Sequence, residues 1–298
     1  MDQDPLNVLA FFSEIPHEEG FSFRQHTTVG VGGCAPLACY PRGIDELVSL
    51  LNFLTERQIP YCVIGNGSNL LVSDVGFDGI VICTQRVCSM QASGNVLTAD
   101  CGAGLCSVLA FAVQHGLGGA AFFQGIPATV GGAVYMNAGA QGCCMKDIIR
   151  AVTAWRNGDI VQIPAEKCRF SYKHSLFMDD DSCILSAELQ LKNEDVESIL
   201  SDINRIKQRR SALPGGRSMG CVFQNADGIS AGALIEQSGC KGMSCGGAAV
   251  SDAHANFLIN RGDATARDFV RLIEVVRARV LSQTGVLLKE EIRYIGVF

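Results

Sequence analysis

Apolar residues recur along this chain at two spacings, one typical of helices and the other typical of strands. Helices are predicted where apolar residues stand three or four positions apart, which lines one helix face, or form a longer apolar run. These segments cover residues 44–57, 105–115, 196–210, 231–238 and 265–282, with a further short helix expected within residues 1–23. The one-sided helices would each cover an apolar surface.

Short apolar or alternating runs between these helices predict strands. They cover residues 37–40, 61–64, 70–72, 80–84, 96–99, 149–155, 160–163 and 183–191. Asn157-Gly158 separates two of these runs and is the strongest hairpin signal in the chain. The composition changes after Pro214, which predicts a domain boundary near residues 205–215.

Composition and charge narrow the class of protein. A chain of 298 residues is long enough for two domains with cores, and 48% hydrophobic with 18% charged residues is typical of a globular protein. The net charge of −6 argues against binding to nucleic acid or to an acidic membrane surface. The acidic first residues are unlike a secretory signal, and no apolar run approaches the roughly 18 residues of a membrane span. We therefore expect a cytoplasmic protein.

Fourteen cysteines are many for a chain of this length. They form no C-x-x-C pair, and Cys143 and Cys144 are adjacent, so zinc-ribbon and thioredoxin-like spacings are absent from the sequence. Disulfides are not expected without an export signal. We expect most of these cysteines to be small buried hydrophobes, with no metal site.

Two glycine-rich stretches are candidates for ligand binding. Residues 125–140 carry no charge, and residues 65–69 (Gly-Asn-Gly-Ser-Asn) directly follow a predicted strand. Such a strand and loop can direct successive N–H groups towards an anion, although a plain turn has the same composition. The longer stretch is equally either a packing turn or the lining of a ligand site. Residues 102–107 lack the third glycine of a dinucleotide fingerprint.

Four stretches, taken together and in this order, resemble one family. They are residues 63–72, residues 125–140, Gly220-Cys221-Val222-Phe223-Gln224-Asn225 and His254-Ala255-Asn256-Phe257. This combination is similar to the UDP-N-acetylenolpyruvoylglucosamine reductase family, also called UDP-N-acetylmuramate dehydrogenase, over about residues 24–296. The uninterrupted stretch after Gly125 resembles the family's second type, which lacks an extra tyrosine-bearing loop.

The resemblance implies an α+β fold in two domains. Residues 1–204 would form an FAD-binding domain of the vanillyl-alcohol-oxidase (PCMH) type. Residues 205–298 would form a smaller C-terminal α/β domain for the substrate, whose final strand returns to the active site.

The resemblance also implies an activity. The protein would use FAD, with NADPH as co-substrate, to reduce UDP-N-acetyl-3-O-(1-carboxyvinyl)-glucosamine to UDP-N-acetylmuramate in peptidoglycan precursor synthesis. Hydride would pass from flavin N5 to the terminal enolpyruvyl carbon, and a protein acid would protonate the adjacent carbon. We expect a monomer that binds neither nucleic acid nor membrane.

Three residues match the family's catalytic positions. Cys221 stands where the family has a serine proton donor, and a thiol is the stronger acid. Lys173 replaces an arginine, so either it supplies a point charge or His174 shares the task. Glu291 matches the family glutamate, whereas Glu290 would face solvent.

The resemblance carries over two sets of binding residues. Those for FAD are Gly65, Asn66, Gly67, Ser68, Asn69, Ile126, Pro127, Thr129, Gly131, Gly132 and Ala133. Those for the substrate are Tyr172, Asn225 and His254, of which the last two are equally consistent with structural roles.

Two other functions stay open on the residues alone. A flavin oxidase could share the FAD domain and attach its flavin through His115, Cys101 or Cys106. An oxidase would not need the segments around Cys221 and Glu291. A related protein with weakened catalysis would fit the lysine that replaces arginine.

Overall fold

The chain folds around two apolar cores, and the computed structural model describes residues 8–226 and 228–298 of it. The first unit comprises the residues up to Glu18, Leu37–Asn66 and Gly79–Ser211. The second unit comprises Glu19–Pro36, Gly67–Asp78 and Ala212–Phe298. The functional division predicted between residues 204 and 205 stays a prediction.

The described residues contain both helices and short strands. The helices are α1 Leu9–Phe12, α2 Phe23–His26, α3 Ile44–Glu56, α4 Leu105–Gln114, α5 Val130–Tyr135, α6 Val196–Arg210, α7 Ala231–Gln237 and α8 Ala266–Thr284. The first strands are β1 His17–Ser22, β2 Cys34–Cys39, β3 Tyr61–Ile64, β4 Leu70–Val72, β5 Ile80–Cys83, β6 Met90–Ser93, β7 Val96–Asp100, β8 Leu117–Gly118, β9 Gly139–Ala140 and β10 Cys143–Cys144. The remaining strands are β11 Ile149–Arg156, β12 Asp159–Pro164, β13 Cys183–Gln190, β14 Lys192–Asn193, β15 Ser218–Cys221, β16 Ser244–Cys245, β17 Ala248–Val250, β18 Phe257–Asn260 and β19 Arg293–Ile295.

Two larger sheets organise the first unit. One pairs β3 and Leu37–Cys39 of β2 with β5, each in parallel. The other has the order β12-β11-β13-β7-β6 and is antiparallel throughout. The predicted hairpin at Asn157-Gly158 is confirmed, since both residues have positive φ angles (51° and 94°) and Arg156 pairs with Asp159.

The long predicted helices are confirmed, and one-sided apolar spacing explains where they pack. In α3 the buried residues are Leu47, Leu50, Leu51 and Leu54, which repeat at three and four positions. The helix begins after Gly43 and has two acidic residues in its first turn, where they favour the helix dipole. Its apolar face joins the core of the first unit.

Some predicted buried positions are exposed. Val63 is 38% exposed because β3 is an edge strand, although the sequence predicts a buried strand there. Val196 and Leu200 are each 44% exposed, so only part of the apolar stripe of α6 enters the core.

The prediction that most cysteines are buried is wrong. Among the fourteen, all of them free thiols, the buried ones are Cys39, Cys83, Cys101, Cys168, Cys183 and Cys240. Cys34, Cys88, Cys106 and Cys143 are exposed because they lie in turns, at helix surfaces or at strand ends.

The second unit combines two sheets with α8. Its antiparallel sheet has the order β15-β18-β17-β16, and β19 pairs in parallel with β4. Five residues of α8 predicted to share one face are all buried, namely Phe269, Leu272, Ile273, Val276 and Val280. The core of this unit also includes Val29, Val31 and Leu71 from early in the chain.

No helix within residues 8–226 and 228–298 is long and apolar enough to cross a membrane. The same part of the chain holds no cluster of three or more His, Cys, Asp or Glu side chains arranged for a metal ion.

Candidate active site

Gly65 brings two of the predicted flavin segments together in the first unit. A Cβ atom on Gly65 would lie 2.3 Å from Thr129 Oγ1, so only glycine fits at this approach. Asn66 Nδ2 donates a hydrogen bond of 3.3 Å to the Pro127 carbonyl. Residues 65–66 therefore lie directly against residues 127–129.

The loop after β3 has backbone donors without acceptors. Among the described residues, no acceptor takes a hydrogen bond from the N–H groups of Asn66, Gly67 or Ser68. Gly67 has a φ of 60°, and a Cβ there would lie 2.6 Å from the His26 carbonyl oxygen. Unused N–H groups around a left-handed residue suit an anion such as a pyrophosphate.

The glycine-rich stretch is partly a packing element. It contains the short helix α5 and runs into the hairpin of β9 and β10. The N–H of Gly131 donates to the Cys101 carbonyl at 2.8 Å, and a Cβ on Gly131 would lie 3.1 Å from Cys101 Cβ. The N–H of Ala133 donates to the Thr129 carbonyl within the helix. The backbone donors of Gly131 and Ala133 are thus already used, and that of the exposed Gly132 donates to Thr129 Oγ1 at 3.5 Å.

Two arginines at the end of α6 fix the two ends of this stretch. Arg210 Nη2 donates to the Gly125 carbonyl at 2.9 Å, and Arg209 Nη1 donates to Gln141 Oε1 at 3.0 Å. The sequence shows these residues only as a basic run. Their role depends on partners 68 and 85 residues away in the sequence, which no local pattern reveals.

Lys173 lies in a tight turn attached to the same stretch. Ser171 and His174 exchange backbone hydrogen bonds around it, and Lys173 has a φ of 56°, a left-handed conformation that side chains rarely adopt. The buried Asn137 holds this turn, since its Nδ2 donates to the Ser171 carbonyl at 2.7 Å. Ser175, also buried, donates to the Tyr135 carbonyl at 2.6 Å.

The other side chains of this turn have different surroundings. His174 Nε2 lies 2.9 Å from Asp179 Oδ1, so this histidine is already paired with a carboxylate. Tyr172 is 56% exposed. The suggestion that His174 shares the task of Lys173 therefore has no support in the contacts of His174.

In the second unit, the segments of Cys221 and Glu291 lie side by side. The N–H of Glu291 donates to the Val222 carbonyl at 2.7 Å, and Gln224 N–H donates to the Lys289 carbonyl at 2.8 Å. Asn69 Nδ2 donates to the Glu291 carbonyl at 3.1 Å. Three predicted site positions, Asn69, Cys221 and Glu291, are thus brought together although they are far apart in the sequence.

Glu290 does not face solvent as the sequence predicts. Its side chain is 19% exposed and accepts a hydrogen bond of 2.8 Å from Arg277 Nη1. The Tyr294 hydroxyl also donates to Glu290. Burial, followed by these contacts with Glu290, raises the pKa of Tyr294 well above its ordinary value. Glu290 is thus held by α8 and β19, apart from the neighbouring Glu291.

His254 packs against α7. Its Cε1 lies 3.2 Å from the position that a Cβ on Gly232 would take, and its Nδ1 accepts from Asn256 N–H at 3.3 Å. Burial lowers the pKa of His254 below its ordinary 6.5, which favours the neutral ring.

Asn256 is a site-building residue that the sequence did not single out within its motif. Its buried side chain donates to the Phe223 carbonyl at 2.8 Å and accepts from Phe223 N–H at 2.9 Å. Its own carbonyl accepts from Val222 N–H. Asn256 thereby fixes the strand on which Cys221 lies.

Asn225 has a structural contact in the same unit. Its Oδ1 accepts from Ala231 N–H at 3.0 Å, at the first residue of α7. This contact fixes the start of α7 and orients the Asn225 side chain.

The residues considered for covalent flavin attachment have other surroundings. Cys101 is buried, and burial raises the pKa of its thiol. His115 Nδ1 is bonded to the Phe111 carbonyl at 2.8 Å, and its ring packs on Phe111. Cys106 is exposed on α4.

Two family models match this chain. One is described as UDP-N-acetylenolpyruvoylglucosamine reductase, C-terminal domain, and covers residues 211–295. The other is described as FAD binding domain and covers residues 35–163. The first match contains Cys221 and Glu291, and the second contains Gly65 and Thr129.

Curated relatives match nearly the whole chain. UDP-N-acetylenolpyruvoylglucosamine reductase from Heliobacterium modesticaldum is 42% identical, over 91% of this chain and 88% of the relative. The enzyme of the same name from Caldicellulosiruptor bescii is 40% identical, over 92% of this chain and 89% of the relative.

A solved structure matches the fold at similar coverage. UDP-N-acetylenolpyruvylglucosamine reductase from Thermus caldophilus superposes with a TM-score of 0.81 at 32% identity. The match covers 95% of this chain and 99% of the Thermus chain.

Proposed function

The chain belongs to the UDP-N-acetylenolpyruvoylglucosamine reductase family, and on that premise we propose its reaction and the residues that perform it. The reaction is the NADPH-dependent reduction of UDP-N-acetyl-3-O-(1-carboxyvinyl)-glucosamine to UDP-N-acetylmuramate through FAD, a step of peptidoglycan synthesis. The observation that carries the residue assignment is the backbone hydrogen bond from Glu291 to Val222, which sets residue 291 beside the residue that follows Cys221.

The residues assigned to the cofactor fit FAD. Gly65 and Gly67 sit where a Cβ atom would collide, and the adjacent N–H groups have no acceptor among the described residues. We assign the pyrophosphate to residues 65–69, with Ile126, Pro127, Thr129 and Gly132 beside the cofactor. Gly131 and Ala133 support this wall through packing, because their N–H groups are used within the protein. When bound, FAD accepts hydride from NADPH and supplies it to the substrate.

Cys221 supplies the proton in this proposal. Reduction of the enolpyruvyl double bond adds hydride to its terminal carbon and a proton to the adjacent carbon. The Cys221 S–H bond breaks as the new C–H bond forms, and solvent returns a proton to the thiolate. Glu291, whose N–H is bonded to the Val222 carbonyl, polarises the enolpyruvyl group from the same unit.

Lys173 stabilises the negative charge that develops on the substrate carboxylate as hydride is added. An ammonium group can do this as a point charge, without the two-pronged geometry of arginine. The turn that holds Lys173 is fixed by Asn137, which supports a defined position for the charge.

Substrate contacts are assigned to Tyr172, Asn225 and His254. The Tyr172 side chain is 56% exposed, and a neutral His254 can donate or accept a hydrogen bond. We further infer that the protein acts as a monomer in the cytoplasm. The net charge of −6 supports the inference that it does not bind nucleic acid.

Anaerobic stopped-flow mixing tests the reaction and the proton donor separately. The wild-type flavin should be reduced by NADPH and then reoxidised by the enolpyruvyl substrate. Cys221→Ala should keep the first step and slow the second by about a hundredfold or more, the usual contribution of a general acid. Cys245→Ala, which removes another half-buried thiol of the second unit, should leave both steps unchanged.

Two results would reject parts of this proposal. Wild-type flavin that stays reduced in the presence of the substrate would identify a protein without this activity. Normal reoxidation in Cys221→Ala would place the proton donor elsewhere.

A further inference from the structure

The second unit contains a concave site separate from the residues assigned to the reaction. It has a volume of about 460 Å³ and is lined by Arg24, Gln25, Thr27, Gly30, Arg217 and Gly262. Arg217 directly precedes β15, whose last residue is Cys221. At about 3.3 Å per residue, the backbone at Arg217 is at most about 13 Å from that at Cys221, and the irregular pairing around Gly220 shortens this distance.

Two guanidinium groups converge on Gly30 in this site. Arg24 Nε donates to the Gly30 carbonyl at 3.3 Å, and its Nη2 donates to the Ala264 carbonyl at 3.3 Å. A Cβ on Gly30 would lie 2.9 Å from Arg217 Cδ and 3.3 Å from Arg217 Nε and Nη1. The absence of a side chain on Gly30 therefore leaves room for Arg217 beside Arg24.

Neither positive charge is balanced within the described part of the chain. No Asp or Glu side chain there lies within 4.0 Å of the guanidinium nitrogens of Arg24 or Arg217. Two like charges held at one glycine repel each other, and an anion between them would relieve this repulsion. Guanidinium groups also match the oxygen geometry of phosphate.

A buried asparagine fixes the walls of the site. Asn260 Nδ2 donates to the carbonyls of Val29 and Gly30 at 2.9 and 3.2 Å. Its Oδ1 accepts from the N–H groups of Gly262 and Ala264 at 2.8 and 3.2 Å. The Asn260 side chain thus connects the loop of Val29 and Gly30, which lies against both arginines, to the loop after β18. The arginines are presented by a fixed backbone.

We propose that the Arg24–Arg217 site binds a phosphoryl group of a nucleotide. The identity of the nucleotide rests on the proposed function, which supplies two candidates for the phosphoryl group. They are the adenosine 2′-phosphate of NADPH and the diphosphate of the UDP-sugar. Both ligands must bring one end to the flavin, and an extended nucleotide spans the distance from Cys221 to Arg217. The chemistry common to both is a phosphate held by two guanidinium groups.

Calorimetric titration of the FAD-loaded, oxidised protein tests this without turnover. The probes are orthophosphate and two pairs of nucleotides. NADP⁺ and NAD⁺ differ by the 2′-phosphate, and UDP and uridine differ by the diphosphate. Orthophosphate should bind the wild type, and Arg24→Gln and Arg217→Gln should each weaken it by on the order of tenfold, the usual effect of losing a charged hydrogen-bond donor. Arg267→Gln removes another exposed arginine of the same unit and should change nothing.

The nucleotide probes distinguish the two sources. If the site takes the 2′-phosphate, the double variant with both Arg24→Gln and Arg217→Gln should bind NADP⁺ as weakly as NAD⁺ and bind UDP normally. If it takes the diphosphate, the double variant should lose its preference for UDP over uridine and keep the one for NADP⁺. Unchanged binding of orthophosphate and both nucleotides would overturn the proposal.

A second measurement uses only the wild-type protein, in case the variants fail to fold. Phenylglyoxal modifies accessible arginines, and orthophosphate should protect Arg24 and Arg217 but not Arg267 from it. Equal modification of all three with and without phosphate would reject the site. Because neither assay needs the enolpyruvyl substrate, failure of the reaction and failure of this site are separate results.

Discussion

At the scale of single residues, the site depends on glycines whose lack of a side chain lets other groups approach closely. Gly65 and Gly131 leave room for Thr129 and Cys101, and Gly30 leaves room for Arg217. A methyl group at any of these positions meets an atom at 3.1 Å or closer. Glycine in these loops is therefore explained mainly by close approach, and only Gly30 among them also has a positive φ.

Replacing Gly65 should separate cofactor binding from overall folding. Gly65→Ala puts a methyl group 2.3 Å from Thr129 Oγ1, and overpacking of this kind costs about 1–3 kcal/mol. We expect the purified variant to retain less FAD, measured as flavin absorbance per protein. Gly43→Ala is the matched control, since a Cβ there meets nothing within 4 Å.

A double variant sharpens this test. Thr129→Ala removes the colliding oxygen and should restore part of the FAD content lost in Gly65→Ala. Full FAD content in Gly65→Ala alone would show that the close approach is not required.

Residue-level failures of sequence interpretation have a common physical cause. Glu290 is removed from solvent by Arg277, and the role of Asn256 depends on Phe223. In both cases the deciding partner comes from another element. Alternation along a strand predicts which residues share a face, but it does not show which face another element covers.

At the scale of elements, α8 has the best-defined start in the second unit. Thr265 and Asp268 form a capping box, and Asp268 also accepts from Gly247 N–H at 3.4 Å. Asp74 accepts from the N–H groups of Ala266 and Arg267 at 2.8 and 3.0 Å. The free N–H groups of the first turn are thereby satisfied by the Asp74 carboxylate and the Thr265 hydroxyl.

The contribution of Asp268 should depend on pH. The Thr265 N–H group, followed by the other contacts, lowers the pKa of Asp268 below its ordinary 3.8. Its stabilisation is therefore complete above that value and is lost as the pH falls through the pKa of the folded state. Asp268→Asn should lower the free energy of unfolding by about 1 kcal/mol at pH 7 and have little effect near pH 2.

Urea unfolding at both pH values measures this difference. Glu274→Gln removes one negative charge from the exposed face of the same helix and should not reproduce the pH dependence. An equal loss of stability at both pH values in Asp268→Asn would contradict the role of the ionised carboxylate.

The sequence predicts elements well where the pattern is local. The bounds of α4, α7 and α8 lie within about two residues of the predicted ones. Apolar spacing and helix caps depend on residues that are close together in the sequence, so a local pattern is sufficient to predict them. The helix and hairpin inside residues 125–144 were not predicted, since glycine-rich sequence favours no single structure. The candidate site was identified through the resemblance, and local patterns alone left it ambiguous.

At the scale of the whole molecule, the second unit is assembled from three separate parts of the chain. Thr28 Oγ1 donates to the Ser218 carbonyl at 2.7 Å, and β4 pairs with β19. Val29, Val31 and Leu71 are fully or almost fully buried in its core. The last third of the chain thus depends on early residues for both hydrogen bonds and apolar burial.

A fragment of residues 212–298 should therefore not fold alone. It would expose the apolar surface that Val29, Val31 and Leu71 cover, and it would lack the partner of β19. We expect no cooperative thermal transition by circular dichroism, in contrast to the intact chain. A sharp transition in the fragment would show that its core is sufficient without the early segments.

The pairing of β19 with β4 also determines when parts of the site can form during protein synthesis. Protein synthesis proceeds from the N-terminus, and about three-quarters of the chain lies between Val72 and Arg293. While residues beyond 288 are still unmade, Glu291 cannot lie beside Val222, and Asn69 has no carbonyl to bind there. A nascent chain on the ribosome can thus contain every assigned FAD-binding residue and still lack the carboxylate that we assign to catalysis.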